Sequence, residues 1–131
     1  MTDLPELYFR IRENGAAVFR INTANRERRI EMEQIAVVNT NRGDFKPQGD
    51  ATLSADEERV IGDWLKARLN LLAARDMEDI HRAIDHLNLT AHWAQAKATD
   101  AQLEQVTDDL LMAMHDLRSV LVRKKADRLQ G

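Results

Sequence analysis

Between Met77 and Val120 the apolar residues recur in alternating steps of three and four. Met77, Ile80, Ile84, Leu87, Ala91, Ala94 and Ala98 make one series; Leu103, Val106, Leu110, Ala113, Leu117 and Val120 make another. That repeat follows the 3.6-residue turn, so each series lies on one helical face. Thr99 to Gln102 interrupts them with a capping-box pattern, in which the Thr99 hydroxyl and the Gln102 side chain satisfy backbone N–H groups of a new helix. The spacing therefore predicts two long helices, residues 76–98 and 99–127, joined by a tight turn into an antiparallel hairpin. Asp76 is the expected cap of the first of these, with Glu78 and Asp79 in a first turn where the helix dipole favours acids.

A further helix is expected over residues 54–74. Ser54 and Glu57 form another capping box, and Ile61, Leu65, Leu69 and Leu72 follow with Val60, Trp64 and Leu71 beside them.

Upstream of Ser54 the period changes from helical to two. Leu7, Phe9 and Ile11 alternate with Tyr8, Arg10 and Arg12, and Ala17, Phe19 and Ile21 alternate with Val18 and Arg20. A three-residue loop of Glu13, Asn14 and Gly15 would pair Phe9 with Phe19 and Leu7 with Ile21, leaving Arg10, Arg12 and Arg20 on the other face with Tyr8. A polar connection over residues 23–29 leads to a third strand. There Ile30 and Met32 differ in parity from Ile35 and Val37, which a bulge near Glu33 and Gln34 reconciles. Asn41, Arg42 and Gly43 repeat the turn chemistry before a short strand at Asp44 to Lys46, and Pro47, lacking an N–H, marks an edge or an end. The Arg42-Gly43-Asp44 tripeptide reads as this turn rather than as an adhesion signal. The expectation is a single α+β domain over residues 1–131: a four-stranded antiparallel meander (residues 6–50), then three helices.

The totals suit such a domain. The 131 residues are 44% hydrophobic and 31% charged, with no cysteine and a formal net charge of −3. That excludes disulfide and thiolate-metal frameworks. The apolar runs are too short for a membrane span. Met1 to Glu6 lack the basic start and apolar core of a secretion signal, so a soluble, cytoplasmic protein is expected.

Three constellations bear on function. His81, Asp85, Asn88 and His92 fall on one helical stripe, and His81, Asp85 and His92 are the candidate metal ligands. Carboxylate-bridged bundles need a second Glu-x-x-His motif and further glutamates, which the third helix does not offer. The bland reading, an exposed edge with a His81–Asp85 pair, is preferred. No nucleophile or glycine-rich phosphate loop stands out, which leans against an enzyme, and no cofactor is expected. Arg10, Arg12 and Arg20 beside Tyr8 are candidates for nucleic-acid contact. Arg118, Arg123, Lys124, Lys125 and Arg128 form a second basic cluster. Overall acidity and interleaved glutamates place nucleic acid second.

Surplus apolar surface is the more informative signal. Leu111, Met114 and Leu121 form a second stripe on the third helix, and Leu89 and Trp93 lie outside the seam of the second. Either the first helix packs across the pair and covers them, or they meet a protein partner. The preferred reading is a non-enzymatic interaction or regulatory module that self-associates through its helices. A nucleic-acid-associated regulator is second, and a metal-dependent enzyme using the His/Asp stripe third. A meander followed by helices occurs in many unrelated modules, so architecture alone does not supply function.

Overall fold

The computed structural model describes residues 6–22 and 30–131; the arginines of the polar connection, Arg26, Arg28 and Arg29, lie outside the described residues. The fold is α+β. Strands β1 (Leu7–Arg12), β2 (Gly15–Asn22), β3 (Glu31–Asn39) and β4 (Asp44–Pro47) form one antiparallel sheet in the order β1-β2-β3-β4. Two helices follow, α1 (Ala55–Ala96) and α2 (Asp100–Gln130). The chain divides into two compact units, Met1–Asp79 and Ile80–Gly131.

The expected third helix does not exist, because the break expected between residues 74 and 76 is absent. Residues 72–79 hold neither glycine nor proline, and their Ala, Leu, Arg, Met and Glu are strong helix formers. What changes there is the apolar face. The step from Leu72 to Met77 turns the stripe by roughly 140° at about 100° per residue. A rotation of the stripe resembles a helix boundary in sequence, yet costs the backbone nothing.

The first hairpin also takes an unexpected register. Arg12 pairs with Gly15 around a loop of Glu13 and Asn14, so Phe9 faces Val18, Tyr8 faces Phe19 and Leu7 faces Arg20. Gly15 is a strand residue, not a turn residue. It pairs with Arg12 on one side and Asn39 on the other, and a Cβ there would overlap the Val38 carbonyl. The closeness of β3, invisible to a local reading of the Asn14-Gly15 dipeptide, shortens the loop by one residue and draws Gly15 into the strand. Phe9 and Phe19 consequently lie on opposite faces.

The second pairing contains the expected irregularity. Val18 pairs with Ala36 and Phe19 with Gln34, leaving Ile35 as the extra residue, adjacent to the expected Glu33-Gln34 position. The bulge turns both Ile35 and Ala36 fully inward. At the next turn Gly43 adopts φ 75°, its N–H donates to the Asn39 carbonyl, and Arg42 pairs with Asp44 at 3.3 Å. The strand after it ends at Pro47, as the missing N–H requires.

The core of the first unit lies between one sheet face and the start of α1. Val18, Ile35, Val38 and Ile61 are fully buried, with Ala16, Ala36 and Leu65 beside them. The Phe9 ring stacks on Trp64, centroids 4.5 Å apart and planes within 6°.

Candidate interaction surface

A charged latch fixes α1 to this sheet. Ser54 caps the helix: its hydroxyl accepts the Glu57 N–H and its own N–H donates to Glu57 Oε1, both at 3.0 Å. The same Glu57 carboxylate receives a bidentate pair from β2, Arg20 Nε and Nη2 each donating at 2.8 Å. Arg20 also donates to Glu33 at 3.0 Å and to the Thr52 carbonyl at 3.3 Å. Glu57 is only 5% exposed. Hydrogen bonds from Arg20, and then from Ser54, hold its carboxyl down to about 2 against burial, which acts in the opposite direction. The capping box was legible in sequence; the role of Glu57 as the acid that neutralises Arg20 was not, since its partner lies 37 residues away.

This latch divides the three arginines grouped as a nucleic-acid face. Arg10 and Arg12 share the outer sheet face with Tyr8, whereas Arg20 lies opposite Leu7 on the face towards α1 and is committed to Glu57 and Glu33. Arg10 lies over Phe19, 4.6 Å from the ring centre, and 5.8 Å from that of Tyr8. Its charge is therefore already engaged by two aromatic faces.

The second unit is built differently. The last turns of α1 (residues 80–96) and α2 are joined by residues 97–99, and the Trp93 carbonyl accepts from both Lys97 and Ala98 as α1 ends. Thr99 caps α2 with the expected reciprocal pair, its hydroxyl accepting from Gln102 N and its N–H donating to Gln102 Oε1. Small residues let the two helices approach at this end, where Ala94, Ala98, Leu103 and Val106 are half-buried.

Away from the turn, burial stops. No residue of α2 is buried. The two stripes expected to form a seam are open: Ile80, Ile84 and Leu87 are exposed on α1, as are Leu110, Leu117 and Val120 on α2. Of twenty large apolar side chains exposed among the described residues, thirteen belong to this unit. Two helices alone cannot enclose a face this wide.

The five side chains expected to meet a partner fall in this surface. Leu111, Met114 and Leu121 are 57%, 55% and 59% exposed and run beside the α2 stripe; Leu89 is exposed to 67%. Trp93 is the exception in degree: it is half-buried and lines an apolar groove of about 290 Å³ with Leu87, Ala94, Leu103, Leu110 and Met114. The groove residues Leu87, Leu103 and Leu110 read as ordinary core in sequence. Their spacing carried the signal for an apolar face, but not whether this chain covers it.

His81, Asp85 and His92 lie exposed on α1. Among the described residues no group of three or more His, Asp or Glu side chains is arranged to share an ion. No helix among the described residues is long and apolar enough to cross a membrane. No family model, curated protein or solved structure matches this chain, so its function has to be read from its own residues.

Proposed function

We propose that this protein is a non-enzymatic interaction module that self-associates, a second copy covering the apolar faces of its helical unit. The observation that supports this reading is the exposure of a continuous stripe at regular helical positions. Ile80, Ile84 and Leu87 on α1 and Leu110, Leu117 and Val120 on α2 are each 36–54% exposed, with Leu111, Met114 and Leu121 widening the α2 stripe. Side chains of this size, half covered, each have about 1 kcal/mol still to gain from burial. Two copies covering nine apiece gain on the order of 10–20 kcal/mol, against roughly 4–15 kcal/mol for lost freedom on association. In the first unit the central apolar residues Val18, Ile35, Val38 and Ile61 already enclose one another. A hairpin paired with a second hairpin makes a four-helix arrangement, the common way for such stripes to be enclosed.

Light scattering of the purified chain at low and high salt tests this. The expected result is a mass at least twice that of one chain, retained at high salt because the association is mainly apolar. Met114→Asp, which puts a charge on the exposed stripe without touching a buried residue, shifts the population towards monomer by tenfold or more in dissociation constant. A wild-type chain that stays monomeric at every concentration and salt overturns the reading.

A further inference from the structure

Helix α2 has a lengthwise charge asymmetry that the apolar stripe does not require. From Asp100 to Leu117 it carries Asp100, Glu104, Asp108, Asp109 and Asp116 and no lysine or arginine. From Arg118 to Gln130 it carries Arg118, Arg123, Lys124, Lys125 and Arg128 against Asp127 alone. This exceeds what the helix dipole favours, because the acids extend well past the first turn and the bases begin well before the last.

The charges also stand in the right place to meet a neighbour. With Leu110, Ala113, Leu117 and Val120 at the centre of the exposed stripe, helical spacing puts Asp109, Asp116 and Arg123 along one edge. The opposite edge is Thr107, Met114 and Leu121 and carries no charge. The charged edge runs from acidic to basic, and its three side chains are exposed.

From this arrangement, and resting on the self-association proposed above, we infer that the second copy lies antiparallel along α2, with the two-fold axis near Asp116. In such a pair each surface meets itself reversed. Asp109 comes opposite Arg123 of the other copy. Asp116 alone meets its own kind, close to the axis. A parallel pair sets Asp109 and Asp116 beside the acidic half of the other copy and Arg123 beside its basic half. With helices packed about 8–10 Å apart, those edges lie within roughly one Debye length at physiological salt, so the repulsion is not screened away. The charge pattern thus selects orientation, while the apolar stripe supplies the adhesion.

The absence of cysteine makes the test direct, because an introduced cysteine is the sole attachment point for a spin label. Gln105, Ser119 and Ala126 are exposed and lie on the side of α2 away from the stripe centre. Gln105→Cys, Ser119→Cys and Ala126→Cys would each be made singly in the full chain, labelled, and measured by pulsed electron–electron resonance at concentrations where light scattering gives the associated mass. At 1.5 Å per residue, the antiparallel pair gives copy-to-copy distances of roughly 35 Å at 105 and 30 Å at 126, but below roughly 20 Å at 119. Short distances at all three positions mean parallel helices and overturn the orientation while leaving self-association intact. Long distances at all three mean that α2 does not meet α2 and likewise overturn it. A monomeric mass with no defined distance is the failure of self-association itself.

Discussion

Ile61 and Ile84 sit on the same uninterrupted helix, in apolar stripes of the same spacing, and meet opposite fates: Ile61 is 0% exposed and Ile84 48%. The difference lies in what each face is offered. Around Ile61 the chain supplies a sheet face whose bulge turns Ile35 inward, and a bidentate ion pair that holds the helix against it. Around Ile84 it supplies a hairpin that closes only at its turn. Periodicity states that a face is apolar; it says nothing about what covers that face.

The largest expected effect tests this contrast with one chemical change made twice. Ile61→Ala costs about 3–5 kcal/mol, the range for truncating a fully buried aliphatic residue in a packed core. Ile84→Ala costs about 1 kcal/mol in the dilute chain, and more as protein concentration rises and association buries the site. Urea unfolding at two concentrations a hundredfold apart measures both. A concentration-independent loss of several kcal/mol at Ile84 would mean that its face is already covered within one chain, and the contrast between the units would collapse.

A smaller and pH-dependent effect sharpens the account of the first unit. Glu57→Gln keeps the shape of the side chain but removes the charge that Arg20 faces. It costs about 2–3 kcal/mol at pH 7, towards the lower figure because water still reaches the Arg20 side chain. The sign follows from the direction of the shift. The folded-state value, about 2, lies below the ordinary carboxylate value of 4.5. The contribution is therefore complete above pH 4.5 and is lost progressively as pH falls towards 2. Wild type and variant should converge in stability across that window. A gap that persists unchanged at pH 2 would assign the loss to packing and not to the ion pair.

These two units also explain which parts of the molecule were legible in its sequence. Local rules worked where local chemistry decides. Both capping boxes formed, the strand parities placed four strands in the expected order, and the change of parity at Glu33 and Gln34 located the bulge to within a residue. Reading failed where a distant neighbour decides. The approach of β3 to Gly15 reset the hairpin register, which carried Arg20 to the inner face and paired it with Glu57. The supposed break near Asp76 was a rotation of the apolar stripe, and only the stretch of strong helix formers through it, weighed above the single Asp, would have argued for continuity. The exposed side chains Leu111, Met114 and Leu121 were legible as surplus because one partner helix cannot cover two stripes. The groove beside Trp93 was not, since its walls have the composition of any core.

The smallest effects come from the two helix caps, which have the same chemistry in different surroundings. Ser54→Ala and Thr99→Ala each remove one hydroxyl that accepts from a backbone N–H, a loss of about 1 kcal/mol on average. The two should not be equal. Ser54 also helps to place Glu57, so its loss loosens the acid that Arg20 needs, and about 1–2 kcal/mol is expected. Thr99 and Gln102 stand in solvent, each side chain bonded to the other's backbone N–H, and about 0.5–1 kcal/mol is expected. The readouts separate as well. Amide exchange in Ser54→Ala should accelerate in the first turn of α1 and in β2 across the Arg20 contact, whereas in Thr99→Ala it should accelerate only near residues 100–103. Equal losses with exchange confined to the first helical turn in both variants would show that the latch does not transmit the cap to the sheet. The first unit would then be held together by its apolar core alone.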